Sequence, residues 1–158
     1  MNQRQPNLQA SILDRLIDDD PRTPGDSVSY RLLNMAQIKA AVIRDLENLL
    51  NTRRQIIDPP AECSALRDSL YSYGLKDFTA ENPNSIAILQ QLRQDIEQSV
   101  ARFEPRLRNV RVHLENKNKG DRKLRFRITG LLVVEPISEP VTFDSFFDFN
   151  RGECAITG

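Results

Sequence analysis

The segment Ile96-Glu97-Gln98-Ser99-Val100-Ala101-Arg102-Phe103-Glu104-Pro105-Arg106-Leu107-Arg108-Asn109-Val110-Arg111-Val112-His113-Leu114 changes its apolar period part-way along, and that change decides the fold. Up to Phe103 the apolar residues recur at spacings of three and four, as on one face of a helix. After Pro105, Val110, Val112 and Leu114 alternate with Arg111 and His113, as on a half-buried strand. Pro105 has no amide donor to continue a helix, and it biases Glu104 toward an extended backbone.

Toward the N-terminus the helical period extends. Asn82-Pro83-Asn84-Ser85 opens a helix to about Phe103, with Ile86, Leu89, Leu92, Ile96, Val100 and Phe103 as its stripe. A second long helix is expected over 35–54, on Ile38, Val42, Leu46, Leu49 and Leu50. Arg53 and Arg54 then fall in its last turn, where cations complement the helix dipole. Leu66 and Leu70 predict a short helix from Ser64 to Tyr71, with Gly74 as its stop. Toward the C-terminus the period of two persists. Leu124, Phe126 and Ile128 form a second strand after a polar loop from Asn116 to Arg122, and Gly130 marks a bulge or kink. Pro136 and Pro140 bracket a turn. A third strand places Val141, Phe143, Phe147 and Phe149 on one face, with Thr142, Asp144 and Asp148 on the other; residues 153–157 add a short edge strand. Helices followed by an antiparallel meander of three to four strands predict an α+β domain, with two long helices and short helices on one sheet face.

The domain is expected over 34–158, preceded by an N-terminal segment, 1–33. Within that segment Ile12, Leu13, Leu16 and Ile17 form a short amphipathic stretch, followed by Asp18-Asp19-Asp20-Pro21. A helix this short is unstable alone, so it docks either on its own domain or on a partner.

Composition narrows the function. The longest apolar run, Leu131-Leu132-Val133-Val134, is far short of the about 20 residues of a membrane span. Met1 to Pro6 contains no apolar h-region, so the cytosol is the expected compartment. Cys63 and Cys154 form neither a disulfide framework nor a Cys-x-x-Cys pair. One histidine, His113, excludes a metal site of several His ligands and leaves Cys63–His113 as a remote dyad. No phosphate loop, His-Glu-x-x-His or Gly-x-Ser-x-Gly occurs, so no catalytic, cofactor or metal residue is assigned.

The 22 basic and 22 acidic residues cancel, yet they are unevenly spread. Between Arg106 and Arg127 nine basic residues face only Glu115 and Asp121, whereas the C-terminal part is acidic. Arg125 and Arg127 lie either across from Asp144 and Asp148 as cross-strand pairs or on an anion-binding surface. Lys117, Lys119 and Arg122 sit in the loop. A sheet that binds single strands needs outward aromatics, but Phe126 shares the core face with Leu124. Phe146 breaks the alternation, either as a bulge residue or as an exposed anchor.

Three segments in order carry a resemblance: Ser11-Ile12-Leu13-Asp14-Arg15-Leu16, Tyr73-Gly74-Leu75-Lys76-Asp77-Phe78 and Glu104-Pro105-Arg106-Leu107. Together they resemble the TssE family of type VI secretion baseplate subunits, related to a "lysozyme-like" wedge protein of contractile phage tails, over roughly residues 10–150. The resemblance implies a cytoplasmic scaffold at the inner membrane, with no cofactor, that joins the wedge subunits TssF, TssG and TssK to the first sheath ring. It also implies that the sheet templates sheath growth by strand addition. Partner binding then falls to Glu104, Pro105, Arg106 and Leu107. N-terminal docking falls to Ile12, Leu13, Arg15 and Leu16, and a sheath-facing edge to Val141, Phe143 and Phe146. Physically, Pro105 sets the helix end, Arg106 offers a planar fork, and Leu107 can anchor in an apolar pocket. Glu104 and Arg106 either meet a partner or tie the helix end to the domain's own loops. Neither nucleic acid nor direct membrane insertion is expected.

Two other functional classes have their own requirements. A peptidoglycan hydrolase needs two carboxyls across the scissile bond, and its acid must hold a proton; Arg106 beside Glu104 favours the charged form instead. A nucleic-acid-binding module would use the basic hairpin.

Overall fold

The structure, a computed structural model, describes residues 8–9, 32–33, 35–57, 59–60, 62–115 and 122–157. Strand β1 (Leu8–Gln9) pairs antiparallel with β2 (Leu32–Leu33), just ahead of helix α1 (Met35–Asn51). A short helix α2 (Ser64–Arg67) and a 3-10 turn (Leu70–Ser72) precede the long helix α3 (Ile86–Phe103). The chain ends in a meander of β3 (Leu107–Leu114), β4 (Lys123–Val134), β5 (Ile137–Asp148) and β6 (Glu153–Thr157), all antiparallel neighbours in that order. This is the expected α+β arrangement. The stretch 11–17 lies outside the described residues.

The two apolar stripes converge on one sheet face. Val42, Leu46 and Leu50 of α1 and Leu92, Ile96 and Val100 of α3 are buried against Leu124, Phe126, Ile128, Phe143 and Phe147. Burying each such side chain contributes about 1.5–3 kcal/mol, so this layer supplies most of the driving force. Helix α1 lies beside β6 and α3 beside β3, while the other sheet face carries no helix among the described residues and exposes Arg111, His113, Arg125 and Arg127.

Several local expectations change. Helix α1 stops at Asn51, so Arg53 and Arg54 are not in its last turn. Arg53 instead pairs as a β-bridge with Leu75, and Arg54 reaches α3. Leu66 and Leu70 are exposed because the expected helix over Ser64–Tyr71 divides into α2 and the 3-10 turn. Ile86 is also exposed, since α3 begins there and only its later turns reach the core. Gly130 does mark a bulge, from the opposite strand: it stays in register with Val141, while Asn109 and Val110 of β3 share the place facing it, between the pairs Arg108–Leu131 and Arg111–Thr129. Asn109 takes φ 55 there, a left-handed conformation that Asn tolerates. Pro140 lies inside β5 opposite Leu131, beyond the reach of β6, where a missing amide donor breaks no ladder.

The segment Tyr73–Phe78 threads between the helices. Leu75 is fully buried and exchanges backbone hydrogen bonds with Thr52 O and Arg54 N at 2.9 and 2.8 Å. Ser99 donates to Gly74 O at 3.1 Å, and Lys76 N donates to Asp95 Oδ2 at 2.9 Å. Gly74 is required at this crossing: its φ is +102, and a Cβ would stand 2.4 Å from Thr52 O. Gly74→Ala is expected to lower stability by about 1–3 kcal/mol, read as a lower urea midpoint at unchanged slope.

Candidate functional site

At the corner where α3 gives way to β3, three carboxylate and guanidinium groups meet. Glu104 N still donates to Val100 O at 2.9 Å, but Glu104 has already turned to φ −118 and ψ 82. Its carboxylate folds onto the next turn. Oε1 accepts from Arg106 N at 3.1 Å and from Arg106 Nε at 2.7 Å, and Oε2 accepts from Arg106 Nη2 at 2.6 Å. The same Nη2 donates to Asp45 Oδ2 in the middle of α1. One guanidinium thus joins the end of α3, the start of β3 and the flank of α1. The hydrogen bonds to Glu104, outweighing burial, hold the Arg106 pKa above its ordinary value, so its charge is permanent. Burial first, then the nearby Asp45 and Glu104 charges, raise the Tyr73 hydroxyl, which stays protonated. Tyr73 also packs edge-to-face on Phe103, with centroids 5.2 Å apart. The second and third segments of the resemblance therefore meet in space.

Burial sorts the four motif residues. Glu104 and Leu107 are each 4 % exposed, and Leu107 pairs with Leu132 inside the sheet. Leu107 is therefore a core residue of its own chain rather than an anchor for another. Pro105 is exposed and Arg106 partly so, which leaves these two at the surface. Both oxygens of Glu104 are engaged by Arg106, so this carboxyl is not placed to give a proton to a substrate.

The expected edge residues also separate. Val141 and Phe143 point into the core, whereas Phe146 is 39 % exposed on the outer face. Phe146 sits in an unbroken ladder between Arg125 and Ala155, so it is not a bulge residue, and Lys123 Nζ lies 5.7 Å from its ring centroid. Arg127 does meet Asp144, at 2.6 Å, but Arg125 faces Phe146, and Lys123 rather than an arginine stands opposite Asp148. Ile12, Leu13, Arg15, Leu16, Lys117 and Lys119 lie outside the described residues. Cys63 precedes α2 and His113 is exposed on β3, on separate elements.

Helix side chains close much of the sheet's edge. Glu47 Oε1 accepts from Ile156 N at 3.0 Å. Asn51 accepts from Cys154 N at 2.7 Å and donates to Cys154 O at 2.9 Å. On the opposite edge, Glu97 Oε1 accepts from Val112 N at 2.8 Å. Polar side chains thus fill backbone positions that a further strand would use. The first half of β5 differs, because β6 pairs with Asp144–Asp148 and, among the described residues, Ile137–Phe143 have a strand on one side alone.

Sequence reasoning missed Asp45, Glu47, Asn51, Asp95 and Glu97. A signal was present: Asp45 and Asp95 stand at apolar-stripe spacings from Val42 and Leu92, where a polar residue needs a dedicated partner.

The sequence pattern of the family described as "Baseplate wedge protein gp25" matches residues 36–137, from the first turn of α1 to the start of β5. The chain belongs to that family. TssE subunits and the phage protein are its members, and it is a family of structural baseplate components that work with other baseplate proteins. Comparison with curated proteins finds no match. Among the described residues of this baseplate wedge chain, no helix is long and apolar enough to cross a membrane.

Two outcomes are expected. Arg106→Ala leaves Glu104 buried without its counter-charge and should cost about 3 kcal/mol of stability. Glu104→Gln combined with it should lose less than the sum of the two single changes, by about 1–3 kcal/mol in a double-mutant cycle. Separately, burial and then the Glu47 charge push the Cys154 thiol up to about 12, so it stays protonated at pH 8. Thiol titration of the native protein at that pH should therefore label Cys63 quickly and Cys154 only after unfolding.

Proposed function

We propose that this chain is the TssE-type subunit of a type VI secretion baseplate. It links TssF, TssG and TssK to the first ring of the contractile sheath and starts sheath assembly, as a scaffold and not as an enzyme. It works without cofactor, on the cytoplasmic side of the inner membrane. The observation that carries this reading is the Glu104–Arg106–Asp45 junction, where a family motif forms a rigid corner with Pro105 at the surface. A corner fixed by charge-assisted hydrogen bonds holds a partner-facing loop at a set angle to both helices.

In this reading residues 34–158 are the wedge domain, and residues 1–33 dock through Ile12, Leu13, Arg15 and Leu16. Glu104 and Leu107 act by setting the corner, and Pro105 and Arg106 touch the wedge partner. Sheath pairing falls on β5, where Ile137–Phe143 have a side with no strand among the described residues. Val141 and Phe143 take part there through their backbone, and Phe146 lies on the adjoining outer face.

Affinity purification from the native cell tests this. The wild-type protein should recover baseplate wedge and sheath subunits, and Arg106→Ala should lose the wedge subunits. Leu124→Ala, destabilised in the core at the end of β4 remote from the corner, should retain them. Equal loss in both variants would assign the motif to stability alone, and recovery of neither subunit class by the wild type would overturn the reading.

A further inference from the structure

Along β5 the direction of each backbone group follows from the ladder. Successive residues of an antiparallel strand turn their amide and carbonyl groups to opposite sides. Glu115 N donates to Arg125 O at 3.0 Å and Val133 N donates to Arg106 O at 2.8 Å, so the odd-numbered positions of β4 address β3. Its even-numbered positions then address β5, where Phe126 faces Ser145, Ile128 faces Phe143, Gly130 faces Val141 and Leu132 faces Glu139 in an unbroken register. The even-numbered positions of β5 are therefore turned away from β4. Two bonds near β6 agree: Asp144 O accepts from Thr157 Oγ1 at 3.2 Å, and Asp148 O accepts from Gly152 N at 2.6 Å.

Within Ile137–Phe143, which has no outer strand among the described residues, the outward positions are Ser138, Pro140 and Thr142. Proline stands at the middle one, where its ring takes the place of the donor between Ser138 and Thr142. One residue to either side, at Glu139 or Val141, proline would instead remove a bond to β4. A ladder added here cannot avoid Pro140 by sliding. On one side β5 begins just after the turn at Glu135 and Pro136, and on the other Thr157 already holds Asp144 O. Any added strand that uses more than one outward position therefore sets an acceptor against Pro140. An acceptor shut off from water and left unpaired costs more than one made bond contributes.

We propose that Pro140 keeps two copies of this chain from joining through their β5 edges. The stretch Ile137–Phe143 is about 23 Å of extended backbone, long enough to pair. Two copies related by a two-fold axis present the same edge to each other, so the missing donor is met once in each copy. A strand of another sequence meets it once in all, and a bulge opposite Pro140 relieves it. The proline thus makes the edge selective: it weighs against a like edge more than against an unlike one. Proline at an outward position of an edge strand is a known way for sheets to resist edge-to-edge association. The inference concerns self-pairing alone and does not rest on the proposed sheath contact.

Sedimentation equilibrium of the purified full-length chain tests it. The wild type should stay monomeric. Pro140→Thr restores the donor at an exposed position and should self-associate at least about tenfold more tightly, a difference of about 1.4 kcal/mol. Adding Ser138→Pro or Thr142→Pro to that variant moves the gap by two residues along the same edge and should return the monomer. Ser138 and Thr142 are exposed, and an unchanged melting temperature verifies that each variant is folded. Pro140→Thr that associates no more than the wild type would overturn the proposal. So would an association that survives both added prolines, since it would run through another surface. A wild-type dimer dissolved by Thr142→Pro would equally overturn it, by showing that the edges pair despite Pro140.

Discussion

The guanidinium of Arg106 is the constraint on which the layered arrangement depends. A helix that ends beside a proline could leave in many directions, and hydrophobic burial has little directional preference. The bidentate grip on Glu104 fixes the backbone across the corner, and the bond to Asp45 fixes the corner relative to α1. Leu107 follows at once and is buried, and the bulge around Asn109 then turns Val110 and Val112 to the same core. The apolar layer supplies the burial, and the ion network fixes the angle at the corner.

The same division of labour recurs around the molecule. Apolar stripes on α1 and α3 supply the burial, while polar residues on their flanks reach backbone that would otherwise lack partners. Asp95 and Ser99 hold the Gly74–Lys76 crossing, Glu47 and Asn51 meet β6, and Glu97 meets β3. Each is a long-range contact between a helix side chain and a backbone group. Such bonds are worth about 1 kcal/mol each, and leaving a buried group unpaired costs more, so they favour one register over its neighbours.

Much of the fold was legible in the sequence because it rests on periodicity. The switch from spacings of three and four to a spacing of two located α3, β3 and the corner between them, and the buried faces of β4 and β5 followed from alternation. The missed features depend on tertiary contacts. Arg53 and Arg54 read as helix-end cations because the bridge to Leu75 has no local signature. Leu66 and Leu70 read as one short helix because spacing does not show where the turns break. Leu107 read as a partner anchor because its burial depends on Leu132, far along the chain. The motif residues were found, but their separation into buried and surface members required the structure.

The uneven closure of the sheet gives it a polarity. At β6 the amides of Cys154 and Ile156 are occupied by α1, and at β3 the bulge around Asn109 and the Glu97 bond interrupt the edge. Among the described residues the first half of β5 has no strand on its outer side, and Pro140 removes one of the donors there. Among the described residues the sheet is therefore closed unevenly: helix side chains cap backbone groups on β6 and β3, and the first half of β5 keeps the longest bare stretch of backbone.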